Sequence, residues 1–140
     1  MNPTRRRYLA GLCISLTGVS GCAAFEQESQ PELTIPELWI DNKDDSDHHV
    51  EILLLHDDDP VFVKSVAVDA ATYEANSLKA TGGQAWEDVA PTARTYTLHV
   101  RIDENDWFTA NFENEDSGCV RVAVEIDRRG TGSFVYFGCE

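Results

Sequence analysis

From residue 33 onward the chain alternates. Short runs in which every second side chain is apolar are separated by breaks rich in Asp, Asn and Gly. The clearest run covers residues 94–103. Tyr96, Leu98, Val100 and Ile102 share one face there, and Thr97, His99 and Arg101 share the other. A period of two is that of a strand with one side buried. Residues 38–41, 49–56, 107–112, 120–126 and 134–137 repeat the pattern. In the second of these runs Val50, Ile52 and Leu54 lie on one face. Residues 61–68 form a further strand whose alternation breaks at Lys64-Ser65, the mark of a bulge. Residues 84–89 read as an edge strand around Trp86, residues 70–78 as a strand or an irregular turn, and Thr81-Gly82-Gly83 as a turn. No long helical stripe competes. The pattern predicts an all-β domain over residues 33–140, an antiparallel β-sandwich of about seven to nine strands.

The last two strands predict their own register. Asp127-Arg128-Arg129-Gly130-Thr131 turns through a three-residue loop in which Gly130 supplies a positive φ. Val122 then falls opposite Tyr136, and Val124 opposite Phe134, on one face. Cys119 falls opposite Cys139 on the other. A disulfide there closes a loop worth about 3 kcal/mol in chain entropy.

The first 32 residues follow different rules. Arg5, Arg6 and Arg7 precede a mildly apolar stretch from Tyr8 to Val19, and Ser20 and Gly21 precede Cys22. A basic head, an apolar centre and small residues are the three parts of a secretory signal. The apolar run is shorter than the roughly 20 residues a spanning helix needs. Thr4-Arg5-Arg6-Arg7-Tyr8-Leu9 resembles the twin-arginine export motif. Val19-Ser20-Gly21-Cys22 is similar to a lipobox, with Val19 where Leu is usual. These resemblances imply a signal peptide over residues 1–21, cleavage before Cys22, and a lipid on its sulfur. Two acyl chains suffice for stable anchoring. Residues 22–32 then form a lipidated polar tether too poor in apolar side chains to fold alone.

Charge comes next. The chain has 25 acidic and 11 basic residues, for a net charge of −14. Losing residues 1–21 removes three arginines and leaves −17. Lysine is confined to Lys43, Lys64 and Lys79. Dense carboxylates keep a protein hydrated in strong salt, where screening acts within about 3 Å at 1 M. In this balance the chain resembles exported haloarchaeal lipoproteins. Nucleic acid is disfavoured as a partner, because phosphates require a basic footprint. Of the four cysteines, Cys13 leaves with the signal, Cys22 takes the lipid, and Cys119 and Cys139 remain as a pair for an oxidising compartment.

Pro91-Thr92-Ala93-Arg94-Thr95-Tyr96-Thr97-Leu98 resembles the turn-then-strand pattern of immunoglobulin-like sandwich domains, with Arg94 near the place of their usual turn glycine. The resemblance implies an immunoglobulin-like fold and transfers no functional residue.

The candidate chemistry is sparse. His49 and His99 are weak metal candidates, able to meet only on neighbouring strands. His48 and His56, some 26 Å apart along one strand, cannot share an ion. Four acid runs, over residues 44–47, 57–59, 103–106 and 113–116, lack the spacing of a helix-loop-helix calcium site. Ser46 and Ser65 have no nucleophile motif around them, and no phosphate loop occurs. Trp39, Trp86 and Trp107 are candidates for a carbohydrate or peptide platform, against ordinary core or edge packing. The expectation is a non-enzymatic, membrane-anchored extracellular domain with no cofactor that binds a protein, glycan or small ligand. An anchored metal-binding protein using histidines and acidic loops is the alternative, and a small surface hydrolase the next.

Overall fold

The computed structural model describes residues 31–110, 112 and 118–139. Among them every regular element is a strand: β1 (Leu33–Asn42), β2 (His48–His56), β3 (Asp59–Val68), β4 (Thr72–Glu74), β5 (Ser77–Ala80), β6 (Gly82–Arg94), β7 (Thr97–Ile102), β8 (Phe108–Thr109), β9 (Val120–Ile126) and β10 (Gly132–Gly138). Two four-stranded sheets form, in the orders β10-β9-β1-β6 and β3-β2-β7-β8, and β4-β5 is a separate hairpin. The sheets pack face to face without closing into a barrel.

Much of the core is the set of side chains that alternation selects. Leu38 and Ile40 of β1, with Val122, Val124 and Ile126 of β9, meet Val50, Ile52 and Leu54 of β2 and Leu98, Val100 and Ile102 of β7. Each fully buried aliphatic chain contributes about 1.5–3 kcal/mol. Aromatic pairs seam both flanks. Phe62 of β3 meets Trp86 of β6 edge-on at 5.8 Å, and Phe108 of β8 meets Phe134 of β10 at 4.8 Å.

Several expectations need correction. The sheets are not wholly antiparallel: β1 pairs with β6 antiparallel but with β9 parallel. Both β1 and β9 start at the end of the sandwich where Thr34 N–H donates to Gly118 O. The second sheet supplies the long crossover that a parallel pair requires. Among the described residues the strands number ten rather than seven to nine, because residues 70–78 contribute to a real hairpin. Its turn places Ala75 and Asn76 at positive φ. The bulge lies near Val61, not at Lys64-Ser65: Leu54 faces Phe62 while Leu55 faces Pro60. Lys64 breaks the pattern for another reason. It points inward on an edge strand and lays its ammonium over the Phe62 ring at 5.5 Å. Gly82 and Gly83 belong to β6 rather than to a turn. A Cβ on Gly83 would meet the Ile40 carbonyl oxygen at 2.1 Å, so only glycine lets β6 approach β1 here.

The final hairpin has the register that the turn dictates. Tyr136 faces Val122, Phe134 faces Val124, and Gly130 has φ +78°. Cys119 and Cys139 form a disulfide beside the start of β1.

At the opposite end, loop acids organise the chain. The ring nitrogens of His48 each lie 2.7 Å from a carboxylate, Asp44 Oδ2 in the β1–β2 loop and Asp103 Oδ2 after β7. Burial opposes charge on this imidazole, but the hydrogen bonds to Asp103 and Asp44 outweigh it and hold its pKa above the usual histidine value. Asp103 also accepts the His49 backbone N–H, the main reason its carboxyl stays below the usual range. Asn42 is fully buried. It donates to the carbonyls of Ser46 and Asp69 and accepts from Asp44 N–H. The acid runs are therefore partly loop architecture and not only a solvated surface.

Candidate binding face

Strand parity sends Glu37, Trp39 and Asp41 of β1 to the outer face of the first sheet. In register beside Trp39 are Ala85 of β6 and Ala123 of β9, with Gly83 beside Asp41. None of these neighbours stands tall, so the half-buried indole occupies the face without a wall on the β6 side. On the β10 side it stacks on Phe137, with ring centroids 5.4 Å apart and planes 28° apart. Phe137 is 40% exposed. Such offset pairs contribute about 0.5–1.5 kcal/mol beyond burial.

Polar groups rim the pair. Trp39 Nε1–H donates to Asp41 Oδ2 at 3.0 Å, which fixes the ring. The Arg121 guanidinium lies 5.9 Å from the centre of the Phe137 ring, and its Nη1 is 3.6 Å from Glu37 Oε2. Two hollows flank the stack. One, of about 440 Å³, runs beside Trp39 between Glu37, Asp41, Thr81, Gly83, Gln84 and Ala85. The other, of about 750 Å³, lies past Phe137 against Pro36, Arg121 and the disulfide. Sites for small ligands typically have volumes of about 300–1,000 Å³. A flat apolar surface with acceptors at its edge can hold an amphipathic ligand.

The tryptophans do not form one platform. Trp39 lies on this face and Trp86 in the β3/β6 flank. Trp107, 44% exposed, lies under the Arg101 guanidinium at 4.9 Å on the other sheet. The histidines do not converge either. His99 faces Leu53, four residues along β2 from His49. His49 Nε2 contacts Ser65 Oγ at 2.8 Å, while His99 Nδ1 contacts Thr109 Oγ1 at 2.9 Å. His56 Nδ1 bonds the Thr95 carbonyl. Among the described residues no three His, Cys, Asp or Glu side chains are grouped to hold a metal ion. His49–Ser65 is a diagonal contact between exposed side chains on adjacent strands. Arg5, Arg6, Cys22 and the acid run at 113–116 lie outside the described residues.

The outward position of Trp39 is readable from Leu38-Trp39-Ile40-Asp41, where the ring falls on the polar parity. Its partner is not readable, because nothing local predicts that β9 inserts between β1 and β10. The Cys119–Cys139 bond points to an extracytoplasmic, oxidising setting. In comparison with known proteins, no family model matches the chain and no curated protein matches it.

Proposed function

We propose that the chain is a lipoprotein on the extracellular face of the cell membrane whose sandwich is a non-enzymatic binding domain. In this reading Arg5-Arg6 directs twin-arginine export. Cys22 carries the lipid, and the Trp39–Phe137 face receives the ligand. The single observation that carries the binding role is that stack, an aromatic surface turned to solvent and held by Asp41 and Arg121.

The place where β1 begins supports anchoring. β1 starts at the disulfide end, so the eleven residues 22–32 enter there and reach at most about 40 Å from the lipid. The tether then enters at the stapled end, opposite the acidic loops around His48. The density of carboxylates supports a life in strong salt, as in exported haloarchaeal lipoproteins. Tyr96 supports kinship with immunoglobulin-like sandwiches: it precedes β7 and donates its hydroxyl to Thr92 O, four residues back, at 2.5 Å. A tyrosine corner of this form occurs in those folds.

Two experiments test the two parts. Cys22→Ser should move the protein from the membrane fraction to the medium; retention in the membrane contradicts the anchor. Replacing both Trp39 and Phe137 with Ala in the released protein should abolish its binding to the cell surface. Unchanged binding by a folded double variant contradicts the binding face.

A further inference from the structure

We infer that the ligand seated beside Trp39 is a neutral glycan, a proposal that rests on the binding face described above. The groove is one-sided in its chemistry. Its wall is an indole, and its floor is Gly83 and Ala85. Its edges carry Glu37, Asp41 and Thr81, and the Gln84 backbone runs between Gly83 and Ala85. The floor is bare by necessity, because any side chain at Gly83 collides with the β1 backbone. A ligand that fits must therefore be flat and apolar on one face and rich in polar groups around its rim. A pyranose ring is built this way. Its C–H bonds lie against the negative face of an aromatic ring, and its hydroxyls radiate at the edge.

The hydrogen-bond inventory points the same way. Glu37 and Asp41 as carboxylates only accept, while the Thr81 hydroxyl, 3.5 Å from Asp41 Oδ1, donates and accepts. Vicinal hydroxyls, each donor and acceptor, match such a rim. The charge balance selects an uncharged ligand. An anion meets two carboxylates on a strongly acidic chain. A cation meets carboxylates already engaged: Glu37 pairs with Arg121, and Asp41 accepts from Trp39. Lys43 stands near as well. Its pKa is raised chiefly by its hydrogen bond to Glu125, and in part by the charge of Asp41. The volume of about 440 Å³ accommodates a short segment of a chain whose remainder continues along the sheet.

The test is a titration of the ¹⁵N-labelled protein, observed at the three indole N–H signals. The probes are neutral trisaccharides of glucose, mannose and N-acetylglucosamine, with choline as a cationic control. At least one trisaccharide should shift the Trp39 signal saturably and leave Trp107 in place. Trp39→Ala should abolish binding, and Thr81→Val should weaken it about tenfold. If choline shifts Trp39 and no trisaccharide does, the glycan assignment is overturned while the binding face stands. If no probe shifts Trp39, the glycan assignment is again overturned, and the cell-surface binding of the double alanine variant decides the face independently.

Discussion

Trp39 and Phe137 stack at 5.4 Å although β9 lies between their strands. The contact is made over a low place in the sheet. Ala123 of β9, in register with Trp39, has a side chain too short to separate the rings, and it is 1% exposed. A larger residue there would push them apart. The stack thus depends on three strands, and on whatever keeps β10 at the sheet edge.

The ladder to β9 from Gly132 to Gly138 and the disulfide at its end keep it there. Phe137 lies two residues before Cys139, and the bond closes a segment with a sequence separation of 20. Replacing both Cys119 and Cys139 with Ser should cost about 3 kcal/mol, read as a lower urea midpoint. The Trp39 fluorescence should also become more solvent-like as the end of β10 frays. An unchanged midpoint on reduction contradicts this role.

His48 predicts a pH dependence. Because both its ring nitrogens face carboxylates, the bonded form is the imidazolium. Its folded pKa is raised above 6.5, so its contribution is complete below that pH and is lost as pH rises through the folded value. Asp103 is depressed below 3.8, so its contribution is complete above that pH and is lost as pH falls through the folded value. The cluster should be strongest between these limits. His48→Gln should remove about 1–2 kcal/mol in that window, the lower figure reflecting the exposed carboxylate of Asp103, and little at high pH. Parallel stability curves for the two proteins would count against the assignment.

Gly82 gives a packing test. A Cβ there would meet Asp69 O at 1.6 Å, and that carbonyl also accepts from Asn42 Nδ2. Gly82→Ala must displace the backbone and disturb the buried Asn42 amide. The expected loss is about 2–4 kcal/mol by thermal or urea unfolding. A loss below about 0.5 kcal/mol would show that the loop yields freely.

Much of the core was legible because alternation is a local consequence of burial. Leu98, Val100 and Ile102 read correctly from their spacing, and the final hairpin read correctly from Gly130 and its apolar pairs. β1 was legible only in part. Its buried positions change parity between Ile35 and Leu38, where Pro36 and two register shifts interrupt the pairing with β6. The parallel β1–β9 pairing was not legible, since no spacing along the chain encodes which distant strands become neighbours. The same limit hid Phe137 as the partner of Trp39. It also hid the His48 cluster, whose two carboxylates come from separate loops.

The central claim is that the Trp39 face is occupied where the protein works. The most direct measurement is oxidative labelling of tryptophan in the full chain on intact cells and in the purified protein. Trp107 is the internal reference, since it is 44% exposed on the other sheet. Strong protection of Trp39 on cells, with Trp107 labelled equally in both settings, is the predicted result. Equal labelling of Trp39 in both settings would contradict the account.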